Sequence, residues 1–147
     1  MSVPEGYNGR RAALAALAAA ALAWALPAAA QDPRASEAQA AALAWLALAD
    51  ADDAVATWQQ GSRRFREAIT QDAWAASLKS ARGRFGAARQ RARTSVQAPA
   101  PDKDTPPGEF LIVVFRTEFA QKPQGVETLT MEHEPDGKWR VVGYLIR

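Results

Sequence analysis

The spacing of apolar residues changes its period partway along the chain. Before Gly86 these residues recur every three or four positions, as on one face of an α-helix. After Gly86 the period changes to two, with arginines at every second position from Arg89 to Arg93, as along one face of a β-strand. Because the helical pattern comes first and the strand pattern follows, the chain lacks the alternating β-α-β units of a parallel sheet. We therefore predict the α+β class, with helices segregated on one side of an antiparallel sheet.

The first predicted helix begins at Ser36 and runs to about Ala49. Ser36 can cap this helix because Gln39, three residues later, completes a capping box, and residues 31–36 are predicted to be a flexible leader. Three aspartates are predicted to end the first helix and to cap the next: Asp50, Asp52 and Asp53. The segment does not fit a calcium-binding EF-hand, because the required glycine and final carboxylate are missing.

Two more helices are predicted before the change of period. The second spans the region from Val55 to Ile69, where apolar residues are three and four positions apart, and Gly61 can bend or break it. The third is capped by Thr70 and ends at Gly86. The helical part therefore contains three helices.

Strands are predicted in the second half. Arg89, Arg91 and Arg93 alternate with other residues, which favours a strand with one arginine-bearing face over the alternative, a continuation of the third helix. The segment 97–108 contains four prolines and is predicted to be an exposed loop. Residues 110–119 are apolar on both faces, which predicts a strand in the middle of the sheet.

The last two strands, 126–133 and 139–146, are predicted to form a hairpin around 134–138. Proline followed by aspartate fits a type I turn, with Gly137 in the left-handed conformation. This turn sets a register with four facing pairs: His133 and Trp139, Glu132 and Arg140, Met131 and Val141, Thr128 and Tyr144. The predicted core face contains Leu129, Met131, Trp139, Val141 and Leu145.

These elements predict a single α+β domain over 37–147, with three helices packed on a curved four-stranded antiparallel sheet. Several stretches resemble the exported bacterial family called domain of unknown function 4019: residues 126–130 and 137–147, the strand residues Phe115, Thr117 and Phe119, and the spacing of Trp45, Trp58, Phe65 and Trp74. The resemblance covers roughly 38–147. It implies a cone-shaped fold similar to cystatins and to nuclear transport factor two, and it implies no activity.

The first thirty residues have the layout of a secretory signal peptide. Arg10 and Arg11 precede an uncharged apolar run over 12–26, and small residues lie before a predicted cleavage between Ala30 and Gln31. The run is too short and alanine-rich for a comfortable membrane span. Twin-arginine export and a retained signal anchor are the alternatives. We expect a bacterial protein that is exported, periplasmic or secreted, and not membrane-spanning after cleavage.

Composition excludes several kinds of chemistry. The chain has no cysteine and one histidine, His133, so it offers no thiolate nucleophile and no Cys-ligated or His-only metal site. It also lacks the G-x-S-x-G nucleophile elbow. After removal of the first thirty residues, basic and acidic residues nearly balance, and nucleic acid is not expected as a partner. We expect no cofactor and no metal.

Glu127 is the one candidate for acid–base chemistry. The hairpin register points its side chain to the core face, the concave side of the sheet, where it could act with Arg116 or Tyr144 in a small cofactor-independent isomerase or dehydratase. Alternatively, the strand end frays and Glu127 reaches water or an arginine.

Other residues are candidates for binding. They are the arginines Arg89, Arg91 and Arg93 and the aromatic residues Trp139 and Tyr144. The arginines could bind anionic lipid, lipopolysaccharide or a wall polymer, or they could form a solvated face balanced by acids. We favour a non-catalytic binding or accessory module of the cell envelope over the enzyme. Its expected partner is an envelope protein, a small apolar or anionic ligand, or a second copy paired through the sheet.

Overall fold

The chain runs through four helices and then four strands in the computed structural model, which describes residues 32–147. The helices are α1 Pro33–Asp50, α2 Ala54–Gln59, α3 Arg63–Ala68 and α4 Gln71–Gly83. The strands are β1 Ala88–Gln97, β2 Glu109–Phe119, β3 Lys122–His133 and β4 Trp139–Ile146. The predicted α+β class with four antiparallel strands is confirmed. The predicted signal peptide and its cleavage site, Ala30–Gln31, lie outside the described residues.

Helix α1 begins earlier than the sequence predicts. The Asp32 side chain caps it by accepting a hydrogen bond from the backbone N of Arg34 at 3.0 Å. Pro33 occupies the first helical position, where its missing N–H leaves no bond unmade. Ser36 therefore lies inside the helix, and its prediction as the cap is wrong. Residues 33–36 of the predicted leader are helical. Across residues 32–147, the helices include none that is long and apolar enough to span a membrane.

The predicted second helix is two helices, so the described residues contain four helices rather than three. The break falls at Gly61 and Ser62, where the Ser62 hydroxyl caps α3 by accepting from the backbone N of Phe65 at 3.1 Å. A side chain on Gly61 would clash with the Phe65 ring. The Ser62 N–H donates to the Val141 carbonyl at 2.8 Å, which attaches this corner to β4. The alternative noted from sequence, that Gly61 breaks the helix, is correct.

The four strands form one open antiparallel sheet in the order β1-β2-β3-β4. Strand β1 confirms the strand prediction over the helical alternative. Strand β2 is central, as its apolar sequence predicts, and alternate side chains from Val113 to Phe119 are buried. The core lies between this face and α1, whose buried residues recur at helical spacing: Ala38, Ala42, Trp45, Leu46 and Ala49.

The β3–β4 hairpin follows the predicted register only near its turn. The pairs from His133–Trp139 to Met131–Val141 are as predicted, but the register then shifts by one residue at Val142, so Thr128 lies opposite Leu145 rather than Tyr144. A β-bulge of this kind reverses which face each later side chain occupies. Leu145 is accordingly 56% exposed instead of buried in the core. Tyr144 moves to the core face.

Candidate functional site

Glu127 lies on the core face of β3 and is fully buried. This position follows from strand alternation, because Glu127, Leu129 and Met131 are two residues apart and all three are buried. A buried carboxylate requires partners, since desolvation of an isolated charge is costly. Its partners therefore define what the site can do.

Each of the two carboxylate oxygens of Glu127 accepts two hydrogen bonds. Oε1 accepts from Arg82 Nη1 at 3.1 Å and from the Tyr144 hydroxyl at 2.8 Å. Oε2 accepts from Arg91 Nε at 2.7 Å and from the Thr117 hydroxyl at 2.5 Å. A carboxylate has about four acceptor positions, so all of them are filled.

Asp50, the last residue of α1, extends this arrangement toward the surface. Its Oδ1 and Oδ2 accept from Arg91 Nη2 and Nη1 at 3.0 and 2.9 Å, and Oδ1 also accepts from Arg82 Nη2. The exposed fraction of the side chains rises from 0% at Glu127 through 8% at Arg82 and 13% at Arg91 to 30% at Asp50. We call these residues the polar network: Asp50, Arg82, Arg91, Thr117, Glu127 and Tyr144.

The polar network joins α1 and α4 to all four strands, with two acidic and two basic side chains. Burial raises the pKa of the Asp50 carboxyl, but hydrogen bonds and charge from Arg91 and Arg82 outweigh burial and leave the pKa below its usual range. Burial and the nearby Glu127 carboxylate raise the pKa of the Tyr144 hydroxyl. Asp50 is therefore charged and Tyr144 is a neutral donor around neutral pH.

The chemistry open to Glu127 is limited because all four of its hydrogen-bond acceptor positions are filled. A general base must have a free acceptor position within hydrogen-bond reach of the substrate proton. Glu127 would have to lose a bond to a guanidinium or a hydroxyl before it could accept that proton. The arrangement instead fixes six side chains relative to one another. Arg116, the other suggested helper, does not join Glu127: it pairs across the sheet with Val126, one residue out of phase with Glu127.

The three arginines of β1 do not form one continuous binding face. Arg91 is part of the polar network, whereas Arg89 is exposed and lies 3.9 Å from Glu118. Arg93 is exposed and forms no ion pair within residues 32–147. Bulges next to Arg89 and after Arg93 interrupt the regular alternation. Only Arg89 and Arg93 present their charge to solvent.

The aromatic candidates are separated by the β4 bulge. Trp139 is 6% exposed and belongs to the hydrophobic core, with its ring centroid 4.8 Å from that of His133. Tyr144 is half-buried and lies 5.1 Å from the Trp45 ring, between the core and the polar network. His133 is partly exposed and its Nδ1 lies 3.1 Å from Glu109. These residues do not converge on one site.

A cleft of about 590 Å³ adjoins the polar network. Its charged lining comes from Asp50 and Arg82 together with Asp52 and Lys79. The rest of the lining is small or apolar: Ala54, Ala75, Leu78, Gly83, Gly86 and Ala87. Glu127 does not line this cleft, because Arg82 lies between them in the hydrogen-bond chain. The solvent-accessible cleft therefore lies beside the polar network and does not surround the Glu127 carboxylate.

Sequence reasoning missed Asp50, Arg82 and Thr117 as members of the site. Two signals were present, one for Arg82 and one for the β4 bulge that brings Tyr144 into the site. Arg82 continues the four-residue spacing of Trp74 and Leu78 on α4, which places it on the buried face. Gly143 interrupts β4, and an isolated glycine in a strand often marks a bulge. Asp50 gave no signal, because an aspartate at a helix end is ordinarily solvated.

Comparison with known proteins identifies the family but no characterised relative. Neither a curated protein nor a solved structure matches the chain. The family described as "Protein of unknown function (DUF4019)" matches residues 41–144, a range that includes every member of the polar network. The chain belongs to this family.

Proposed function

We propose that this protein is an exported, non-catalytic binding or accessory module of the bacterial cell envelope. The proposal for export rests on the signal-peptide pattern of the first thirty residues. The proposal that the domain is not an enzyme rests on one observation: all four acceptor positions of Glu127 are filled by groups of the domain itself. The cone-shaped likeness to nuclear transport factor two remains a prediction.

The isomerase or dehydratase alternative receives less support. It requires an acid or base that faces an open apolar cavity. Glu127 is the candidate acid, and it does not line the cleft. Asp50 lines the cleft, but its oxygens accept three guanidinium hydrogen bonds, which hold it in the charged form.

We place ligand binding in the cleft next to the polar network. Ala54, Ala75 and Leu78 provide an apolar surface, and Lys79 provides a positive charge that forms no ion pair within residues 32–147. Asp52 on the same lining disfavours ligands that carry several negative charges. The fitting ligand is therefore a small, mainly apolar molecule with a single anionic group.

The ligand proposal is tested by mass spectrometry under native conditions on protein purified after expression of the full chain. We expect a co-purified small molecule in the wild type. Ala75→Trp should remove it by filling the cleft. Ala76→Trp, on the exposed side of the same helix, should retain it. Protein without a ligand, or equal retention by both variants, would remove the cleft from the proposal.

Export and the absence of catalysis need separate tests. Cell fractionation and N-terminal sequencing should find protein outside the cytoplasm that begins at Gln31. If the protein is found in the cytoplasmic fraction with residues 1–30 still attached, the proposal of export is refuted. Chemical conversion of a co-purified ligand by the wild type, lost in Glu127→Gln although that variant is still folded, would restore the enzyme alternative.

A further inference from the structure

The two edges of the sheet are not equivalent. At β4, the segment Gly61–Ser62 bridges to Val141 and donates a backbone hydrogen bond to its carbonyl at 2.8 Å. At β1, no segment within residues 32–147 forms a bridge or backbone hydrogen bond on the side away from β2. Strand β1 therefore presents an unpaired row of backbone N–H and C=O groups, which is a template for another strand.

The open edge is basic and has no acidic residue of its own. Strand β1 contains Arg89, Arg91 and Arg93 and no Asp or Glu, and the stretch 73–101 also lacks acids. The Arg91 charge is neutralised inside the polar network. Arg89 and Arg93 remain at the surface. The side chain of Arg89 is 62% exposed, and its contact with the exposed Glu118 is long, at 3.9 Å. The edge thus combines free backbone groups with two solvent-facing positive charges.

Self-pairing is a poor use of this edge. An antiparallel β1–β1 pair between two copies would bring arginines of both chains together, and like charges opposite each other are destabilising. Edge charges and bulges also protect natural sheets from such pairing. The same charges attract an acidic strand, so charge complementarity selects an acidic partner over a second copy.

The edge is also held in one conformation. Arg91 is fixed by three hydrogen bonds to Glu127 and Asp50, at the centre of the regular stretch Gln90–Arg93 that lies between the two bulges. A strand that is already ordered loses less conformational entropy when a partner binds. The backbone of Gln90–Arg93 is therefore ready to pair with an incoming strand.

We propose that β1 binds an extended acidic peptide segment of a partner protein, which adds a fifth strand to the sheet. Backbone hydrogen bonds to Gln90–Arg93 supply the main attraction. Carboxylates of the peptide pair with Arg89 and Arg93 and set the choice of partner. This surface goes beyond the proposed ligand cleft, and peptide binding requires neither a ligand nor the cleft.

The direct test is fluorescence anisotropy with a labelled eight-residue peptide of sequence Glu-Glu-Val-Val-Glu-Glu-Val-Val, which presents carboxylates on both faces of an added strand, since Arg93 lies opposite Phe115 on the core face and Arg89 lies near Glu118 on the other face. The double variant Arg89→Gln/Arg93→Gln should weaken binding roughly fivefold, from about 0.5 kcal/mol per exposed charge pair. Arg63→Gln/Arg66→Gln removes the same charge from the exposed side of α3 and should change binding less than about twofold. Equal weakening by the two variants would mean that only net charge matters, and would overturn the proposal.

Backbone pairing is tested with two N-methylated versions of this peptide, each methylated at one alternate set of amides. Since only one set of N–H groups faces the edge, one version should lose binding and the other should keep it. If both versions bind like the parent, no strand is added and the proposal fails. Absence of any peptide binding would also overturn the proposal and would leave the arginines with a purely protective role. Binding to vesicles of anionic phosphatidylglycerol, measured in parallel, without binding to the peptide would overturn it as well.

Discussion

Replacement of Glu127 by glutamine tests the role assigned to the polar network. Glutamine preserves the shape of the side chain but removes its charge. Each oxygen of Glu127 has a guanidinium donor aimed at it, Arg82 on Oε1 and Arg91 on Oε2. The amide nitrogen of the introduced glutamine would therefore meet a donor in either orientation, and the two arginines would keep only Asp50 as a charged partner.

The expected loss in the free energy of unfolding is about 3–5 kcal/mol, the range found when one partner of a buried ion pair is removed. It applies here because Glu127 is fully buried and Arg82 and Arg91 are 8% and 13% exposed. A domain of this size has a total stability of about 5–15 kcal/mol, so the change removes a large fraction. The melting temperature should fall by roughly 12–20 °C.

Urea unfolding followed by tryptophan fluorescence measures this loss, since Trp45 and Trp74 are buried in the core. Glu118→Gln is the matched control. Glu118 is 44% exposed and its ion pair with Arg89 is long, at 3.9 Å, so the substitution should change the free energy of unfolding by less than about 1 kcal/mol. If Glu127→Gln does not fold, Thr117→Val removes a single donor and should cost about 1–2 kcal/mol. A cost below about 1 kcal/mol for Glu127→Gln would refute the structural role.

Three further outcomes are expected. Gly61→Ala should lower unfolding free energy by about 1–3 kcal/mol in urea titrations, because its Cβ would clash with the Phe65 ring; Gly83→Ala, with open space around it, should be neutral or stabilising by up to about 1 kcal/mol. Tyr144→Phe should cost about 1–2 kcal/mol in the same assay, and no loss would contradict the bonds assigned to the hydroxyl. The free energy of unfolding should decrease as pH is lowered from about 5 to about 2, because the pKa of Asp50 is lower in the folded state than its usual 3.8. Burial raises this pKa, but the guanidinium partners lower it by a larger amount. Asp50→Asn should flatten part of that decrease, and an unchanged pH profile would argue against the ion pairs.

Local pattern was sufficient for the parts of the fold that depend on neighbours in sequence. Thr70 caps α4 as predicted, accepting a hydrogen bond from the backbone N of Ala73. The hairpin register is correct from His133 to Met131, because the turn fixes the residues next to it. The inward direction of Glu127 also followed from strand alternation, since β3 itself has no bulge between Glu127 and Met131.

The rest depended on contacts between distant segments. The bulge at Val142 moved Tyr144 to the core face and Leu145 to the surface, and turn geometry cannot predict it. Asp50, Arg82 and Arg91 are well separated along the chain. Asp50 and Arg91 each have the sequence character of a solvated charge, and the spacing of Arg82 indicates a buried position but not its partners. Their pairing became visible only when the fold placed the end of α1, the last turn of α4 and β1 around one buried carboxylate.

The polar network and the β4 bulge depend on each other. Without the extra residue at Val142, Tyr144 would lie on the opposite face, and Oε1 of Glu127 would lose one of its two donors. A slip of one residue would thus leave a buried carboxylate partly unsatisfied, which is costly in a low-dielectric interior. Apolar side chains in place of the whole polar network could give the domain the same free energy of unfolding. They would not distinguish the register of β4 with the bulge at Val142 from the register without it. In a chain without disulfides, the hydrogen bonds of Tyr144 to Arg82 and Glu127 therefore favour the observed register of β4, and the bonds of Arg91 to the same network attach β1 at the open edge of the sheet.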